Sequence, residues 1–533
     1  MSSAGHPFFV GAHEKEAEGV DYLGMRAINL NMMDRLFPGI NNVVSSVRPF
    51  SVICWACWRY AQAVDEGSQV ASSASFREFL EKIETLFVWS HQQDDDAAGI
   101  PNNRQRDSNK ETLTFQFKAF ARNGSLLDAV QYGPSLKRLN GLDFIYSADE
   151  FFKVTVAGTA LAKGLDHSLR TRLKPAQYRF LCDTGNFSFS REELKGLVKG
   201  WQVDTPSEAE RTAFSAQLYR PSEVGKANRD ANRSAMLHMV IATIKRKKAA
   251  MTADMVRYSL AVDELPQSLL QHAQRQTFEN GRRAWQLLQV RQAQRLGLEA
   301  LFGWMERCLI LKGATSVDEL VALTVDALRR ESTHSVEDNF VQVGYEAYGL
   351  NGANIDQLFA AGVSDPRLDI FAAVANVEAS VKDRTQNASI ATASIALLIQ
   401  CAVYANAFRN EAFTSDRVDE GPKFRIPLGY WAEMVKEHLD LPLEDFLRKI
   451  FETFLISQHL GIAAARSSDE KSRMRLSIED RGLTSLLVSA KKVLSPVRTQ
   501  DRLGASLALL GSCGLIEADQ PLRFGGLDVR YSA

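Results

Sequence analysis

The sequence predicts a mainly α-helical, multi-domain protein that ends in a winged helix-turn-helix-like module. Apolar residues recur at helical spacing through most of the chain, and residues 76–90 carry the i, i+3, i+4, i+7 stripe of an amphipathic helix. The length of 533 residues exceeds what one hydrophobic core supports, so several domains are expected. Near the C-terminus a helical segment gives way to strand-like alternation at Met474, Leu476 and Ile478. A helix followed by a hairpin is the order of a winged helix-turn-helix.

The N-terminal region is predicted to hold one helix, a turn and a second, buried helix. Residues 25–36 have apolar positions at helical spacing, and Pro38-Gly39 ends that run. Residues 50–63 include Trp55 and are apolar nearly all round. A helix of that composition is expected to be buried on several sides.

Shifts in composition predict where the chain divides into domains. Residues 91–112 are polar, residues 351–367 form a looser connection rich in Gly and Asp, and residues 414–427 combine charge with proline. The predicted domains are an N-terminal helical domain (1–95), a central helical array (96–350), a helical segment with a linker (351–427) and a winged-helix-like C-terminal domain (428–533).

Charge, cysteine content and hydropathy predict a cytoplasmic protein without a membrane contact. The 63 basic and 64 acidic residues nearly cancel, so nucleic acid would be attracted only by local patches. Six scattered cysteines are typical of reduced thiols rather than of a secreted disulfide framework. No hydrophobic signal segment begins the sequence, and the most apolar window, residues 390–405, is too short to span a bilayer. That window is predicted to be a buried helix.

The C-terminal module offers the clearest candidate DNA contact. Residues 428–438 and 443–459 are predicted as paired helices ahead of a two-stranded wing, whose turn is placed at residues 468–475. Winged helices that bind DNA place one helix in the major groove and wing cations on phosphate. The candidate nucleic-acid-binding residues here are Arg448, Lys449, Arg466, Lys471, Arg473 and Arg475. The same helix carries acidic residues, so a packing or dimerisation module is an equally open interpretation.

A second basic region lies in the middle of the chain. It consists of Lys245, Arg246, Lys247 and Lys248, followed by arginines at positions 275, 282, 283, 291 and 295. Such a stripe could follow a phosphate backbone. A solvated helix face is the favoured interpretation, because helical charge runs usually face water.

Catalytic and metal-binding motifs give little support to an enzyme. Cys54 and Cys57 have C-x-x-C spacing, but the sequence lacks a second ligand pair for zinc, and the favoured interpretation is two core thiols. Phosphate-binding glycine loops and hydrolase elbows are also missing, so no metal and no cofactor is predicted. A nuclease with dispersed carboxylates remains as an alternative, with Asp263-Glu264 and Asp318-Glu319 as weak candidate pairs.

Residues 21–62 resemble the opening of an uncharacterised bacterial family. The resemblance rests on Asp21-Tyr22-Leu23-Gly24, on Leu36-Phe37-Pro38-Gly39, on Arg48 with Phe50 close behind it, and on the Trp-bearing segment that follows. Pro49 stands where the family more often has an aromatic residue. The resemblance implies a protein of antiphage defence loci, encoded beside helicase or phospholipase-D-like nuclease genes. Arg48 is predicted to anchor the buried helix, and contact of Arg48 and Arg35 with a partner is the alternative.

Together these patterns favour a non-catalytic scaffold, adaptor or DNA-binding subunit of a multi-protein antiphage defence complex. Its expected partners are DNA, through the C-terminal module, and a helicase or nuclease subunit. The alternatives are a metal-dependent nuclease and a winged-helix transcription regulator.

Overall fold

A computed structural model describes residues 21–91, 112–114, 126–127, 132–148, 150–184, 188–331, 355–365, 368–383, 387–467, 473–519 and 529–532. Helices dominate these residues, as the sequence predicts, and the strands are short. The helices are α1 Arg26–Leu36, α2 Val47–Asp65, α3 Ser73–His91, α4 Gly133–Leu136, α5 Val156–Arg172, α6 Pro175–Cys182, α7 Arg191–Trp201, α8 Glu208–Leu218, α9 Arg229–Lys247, α10 Ala253–Ala261, α11 Gln267–Leu270, α12 Arg275–Leu311, α13 Val317–Glu331, α14 Ile355–Ala361, α15 Ile370–Lys382, α16 Asn387–Arg409, α17 Ser415–Val418, α18 Leu428–Glu437, α19 Leu443–Lys449, α20 Gln458–Arg466 and α21 Leu503–Ser512.

The described strands form antiparallel pairs of two. They are β1 Thr112–Thr114 with β4 Ser188–Ser190, β2 Ile145–Ser147 with β3 Phe152–Val154, β5 Leu476–Glu479 with β6 Gly482–Ser485, and β7 Glu517–Ala518 with β8 Tyr531–Ser532. The predicted polar loop at residues 91–112 lies almost entirely outside the described residues.

The chain divides into two compact units, each built from segments that are distant in sequence. Unit 1 comprises the described residues of 1–32 and 283–499, and unit 2 comprises those of 33–282 and 500–533. The sequence instead suggested four consecutive domains with boundaries near residues 95, 350 and 427. That four-way division stays a prediction.

The core of unit 2 forms around α2, which packs along α3, α5 and α8. Phe50 near its start has its ring 4.9 Å from that of Phe214, 5.1 Å from that of Tyr132 and 6.0 Å from that of Phe144. Trp55 is fully buried on the same helix. The structure therefore confirms the buried helix predicted from the apolar segment.

The core of unit 1 forms around α16, which packs against α13, α15 and α18. The indole Nε1 of Trp431 on α18 donates to the carbonyl of Leu398 on α16 at 2.8 Å. Among the described residues α16 is the one helix long and apolar enough to cross a membrane, and 61% of its apolar window is buried inside the structure. Packing on several sides accounts for its composition, as predicted for residues 390–405.

The C-terminal elements of unit 1 follow the predicted order of helices and hairpin. Helix α19 continues through a π-helical stretch, Ile450–Ser457, into α20, and the β5–β6 hairpin follows. This order does not by itself establish a winged helix-turn-helix, which stays a prediction.

The predicted position of the wing turn is wrong. Glu479 pairs with Gly482 at the end of the hairpin, so Asp480 and Arg481 form the turn rather than residues 468–475. Gly482 supports the turn with a φ of +106°, a conformation that costs glycine little. Sequence alternation revealed a strand, but it did not show where that strand begins.

Candidate interaction sites

Arg475, which the sequence placed in the turn of the wing, forms an ion pair with Glu306 in the interior of unit 1. Its Nε lies 2.5 Å from Glu306 Oε1 and its Nη2 lies 2.9 Å from Glu306 Oε2. The guanidinium stacks over the ring of Tyr22 at 4.7 Å and donates to the Lys492 carbonyl at 2.7 Å. Burial would lower the pKa of Arg475, but the hydrogen bond and charge of Glu306 outweigh it and raise that pKa. These contacts of the Arg475 side chain hold the hairpin in place.

Two more of the predicted DNA-contacting arginines also form ion pairs within unit 1. Arg466 lies 3.5 Å from the buried carboxylate of Asp21. Arg448 lies 2.6 Å from Asp318 and 3.3 Å from Asp445, and the hydrogen bond that it donates to Asp318 raises the pKa of Arg448. Because Arg448 and Asp318 are both well exposed, their pair contributes little stability.

The remaining cations of the predicted module differ in what the structure shows. Lys449 is exposed at the end of α19, and Arg473 is half-buried just before β5. Lys471 lies outside the described residues. DNA contact by these residues stays a prediction.

Apolar side chains are exposed on and just after the hairpin. Ile478 on β5 is 52% exposed, and Leu486 and Val488 after β6 are 46% and 82% exposed. We call these three residues the hairpin surface. Other residues of the hairpin are packed, since Leu476 is fully buried and the backbone N–H of Leu483 donates to the Thr315 carbonyl at 2.7 Å.

In the basic cluster at the end of α9 in unit 2, two cations form ion pairs with Asp263 and two others are exposed to solvent. Arg246 and Lys247 lie 2.9 Å and 2.7 Å from the same carboxylate oxygen of Asp263. These contacts, together with a hydrogen bond from Ser259, outweigh burial and lower the pKa of Asp263. Lys245 and Lys248 are exposed.

Two of the arginines along α12, at positions 291 and 295, fit neither interpretation of a basic stripe. Within unit 1, Arg291 is almost fully buried and donates to the carbonyls of Arg425 and Ile426. Burial lowers its pKa to about 9. Arg295 pairs with Glu299 at 2.8 Å, in a largely buried contact. Neither residue lies on a solvated helix face or on a surface that could follow a phosphate backbone. The spacing of arginines in the sequence did not reveal this, because buried and exposed arginines can have the same spacing.

The N-terminal motif builds structure in both units. In unit 2, Gly39 has a φ of +82°, and a Cβ there would lie 2.9 Å from the Gly141 carbonyl oxygen. Asn41 Oδ1 accepts the backbone N–H groups of Val43 and Val44 at 3.1 Å and 3.2 Å. In unit 1, Asp21 accepts the N–H of Met25 at 3.0 Å and so caps the start of α1.

Arg48 lies in the interior of unit 2. Its side chain is fully buried, lies 3.3 Å from Glu210 and donates to the Thr205 carbonyl at 2.6 Å. Burial lowers the pKa of Arg48, against the opposing charge of Glu210. Arg35 is exposed on α1, and its role as a partner contact stays a prediction.

Cys54 and Cys57 are core thiols of α2. Both are fully buried, and burial raises the pKa of each thiol. All six cysteines are free, and Cys182 is the one that is not buried. The C-x-x-C spacing therefore reflects helix packing.

Three of the four candidate nuclease carboxylates have partners within the protein. Asp263 pairs with two cations, Asp318 pairs with Arg448, and Glu319 accepts the Thr315 N–H at 2.6 Å. The described residues contain no group of three or more His, Cys, Asp or Glu placed to hold a metal ion.

Sequence reasoning missed a polar network that joins α2, α5 and α6 in unit 2. Asp166 accepts from Trp55 Nε1 at 2.9 Å, from the Tyr178 hydroxyl at 2.6 Å and from Arg170 Nε at 2.7 Å. Burial alone would raise the pKa of Asp166, but these donors outweigh it and lower that pKa. No local motif marks this network, because its members come from separate helices.

Sequence reasoning also missed His459, which lies almost fully buried in unit 1. Its Nε2 accepts the backbone N–H of Arg475 at 3.0 Å, and its Nδ1 donates to the Tyr22 carbonyl at 3.1 Å. These two partners assign a neutral ring with the proton on Nδ1. Burial lowers the pKa of His459 to about 4.

No protein-family model, curated protein or solved structure matches this chain. The N-terminal resemblance to an antiphage defence family therefore stays a prediction.

Proposed function

We propose that this chain is a helical scaffold or adaptor subunit whose hairpin surface in unit 1 binds a protein partner. The observation that carries the proposal is the division of roles on the C-terminal module. Its arginines at positions 448, 466 and 475 bind carboxylates of the same unit, while Ile478, Leu486 and Val488 face solvent. Exposed apolar side chains gain free energy when a protein surface covers them, whereas phosphate offers them nothing to pack against.

The N-terminal resemblance supports a bacterial antiphage defence complex as the assembly to which this subunit belongs. A helicase or a phospholipase-D-like nuclease encoded beside its gene is the expected partner. Each would supply catalytic activity, while this chain would supply binding surfaces.

The proposal is tested by co-expressing the full chain with the neighbouring helicase or phospholipase-D-like nuclease and measuring co-elution in gel filtration. The variant Ile478→Asp/Val488→Asp places charges on the hairpin surface, and we expect it to abolish co-elution. Leu139→Asp is the matched control, because Leu139 is 79% exposed in unit 2. Unchanged co-elution of the double variant, or no co-elution of the wild type with either product, would contradict the proposal.

DNA binding by the C-terminal module is the second candidate function, and the exposure of Lys449 favours it. Binding of labelled duplex DNA across a salt series tests it with the variant Lys449→Ala/Arg473→Ala. This variant leaves the ion pair of Arg475 intact, so a loss of binding cannot come from a disrupted hairpin. Salt-sensitive binding that the variant weakens would support DNA contact, and no binding at low salt would exclude it.

A further inference from the structure

Apart from Asp254, which pairs with Arg257, the exposed residues of α10 in unit 2 are apolar. Met255, Tyr258 and Val262 are 48%, 39% and 48% exposed. They lie at i, i+3 and i+7, so they form one stripe along the helix and its C-cap. The inward side carries Val256 and Leu260, which are buried.

Cations gather where this stripe ends. Arg246 and Lys247 reach Asp263, the residue after Val262, at 2.9 Å and 2.7 Å, and Arg282 Nη2 donates to the Val262 carbonyl at 3.2 Å. Their positions at the C-terminal end of α10 also suit the helix dipole.

Lys245 and Lys248 extend this group of cations into solvent. Neither forms an ion pair among the residues that the structure describes, and Lys248 is held in a left-handed conformation directly after α9. Arg246, Lys247 and Arg282 contact Asp263 or Val262, and Lys245 and Lys248 flank the first two in sequence, so cations outnumber the carboxylate of Asp263 here.

We infer that this surface, formed by Met255, Tyr258 and Val262 with Lys245 and Lys248, binds an acidic amphipathic helix of a protein partner. The stripe extends over eight residues, about 10 Å of helix, which matches two turns of a partner helix with apolar residues at the same spacing. Carboxylates at one end of that partner helix meet Lys245 and Lys248, so the charges also orient it. The surface is smaller than a standard interface, so we expect micromolar affinity.

Nucleic acid fits this surface less well. Two of the four consecutive basic residues are already paired with Asp263, and Met255 and Val262 would gain nothing from a phosphate backbone. The inference is independent of the hairpin surface, because all of its residues belong to unit 2. Either proposal can therefore fail without the other.

Fluorescence anisotropy with the full chain and a labelled helical peptide of about 18 residues tests the inference. The peptide carries leucines at i, i+3 and i+7 and glutamates at one end, and its control carries lysines in place of the glutamates. We expect the acidic peptide to bind and the basic peptide to bind about tenfold more weakly or not at all.

Surface variants locate the binding. Met255→Asp/Val262→Asp and Lys245→Glu/Lys248→Glu should each weaken binding of the acidic peptide about tenfold, while Leu139→Asp should leave it unchanged. Thermal unfolding followed by circular dichroism confirms that each variant is folded. Equal binding of both peptides, or variants that bind like the wild type, would overturn the inference. A DNA duplex that binds the wild type would also overturn the inference if the Lys245→Glu/Lys248→Glu variant lost this binding and the Met255→Asp/Val262→Asp variant kept it.

Discussion

Arg475 and Glu306 form a two-point ion pair in unit 1, with Nε 2.5 Å from Oε1 and Nη2 2.9 Å from Oε2. The Glu306 carboxylate is fully buried and also accepts the backbone N–H of Leu494 at 2.7 Å. The pair therefore joins the start of the hairpin, the long helix α12 and the segment after β6.

Removing the arginine of this pair should destabilise the protein. Arg475→Ala leaves the charge of Glu306 buried without its partner, and we expect the free energy of unfolding to fall by about 3 kcal/mol in urea titrations. Arg473→Ala is the matched control, with an expected change within about 0.5 kcal/mol. Equal losses for both variants would show that the ion pair adds no stability. Adding Glu306→Gln to Arg475→Ala should restore part of the loss, because it removes the buried charge.

Alanine substitutions at two glycines of unit 2 should distinguish the stability cost of backbone strain from that of a steric clash. Gly67→Ala places a side chain at a φ of +70° where no atom lies within 4 Å of the new Cβ, so strain alone should cost about 1 kcal/mol. Gly39→Ala adds a Cβ 2.9 Å from the Gly141 oxygen at a φ of +82°. We expect its loss in thermal or urea unfolding to be larger by about 1 kcal/mol or more. Equal losses would mean that the turn relaxes without cost.

His459 should make stability depend on acidic pH. Its pKa is lowered by burial from 6.5 to about 4, so the unfolded state binds the proton first as the pH falls. Stability from the neutral ring is fully present above pH 6.5 and declines as the pH falls towards about 4, by roughly 3 kcal/mol in total. Urea unfolding between pH 7 and pH 4 measures it. His459→Gln should flatten this dependence, and an unchanged slope in that variant would assign the effect to other groups.

Thiol labelling should distinguish Cys182 from the other cysteines. Five thiols are buried, whereas Cys182 is partly exposed, so a thiol-reactive disulfide reagent should modify one cysteine in the native protein and six in urea. Burial raises the pKa of Cys182, so the native reaction should be slow at pH 7 and faster at higher pH. Cys182→Ser should remove the native reaction. Fast labelling that survives this substitution would show that a buried thiol opens readily.

Local features of the fold were predictable because they depend on neighbouring residues. The helices α2 and α16 and the turn at Gly39 follow from apolar spacing and from backbone preferences, and the structure confirms each of them. The hairpin turn was placed too early, because alternation does not specify which residues of two strands pair. The candidate sites were harder to predict, since exposure is a property of the folded chain.

The sequence by itself determined that this protein is mainly helical, and it determined which segments must be buried. Apolar periodicity has those consequences wherever the segments come to lie. Only the tertiary structure decided the roles of the charged residues, because an arginine's environment depends on partners far away in the chain. Arg475 and Glu306 are separated by 169 residues, and Arg48 meets Glu210 across a similar span. The contact with Glu306 makes Arg475, a predicted surface cation, an interior one, while Ile478, Leu486 and Val488 face solvent.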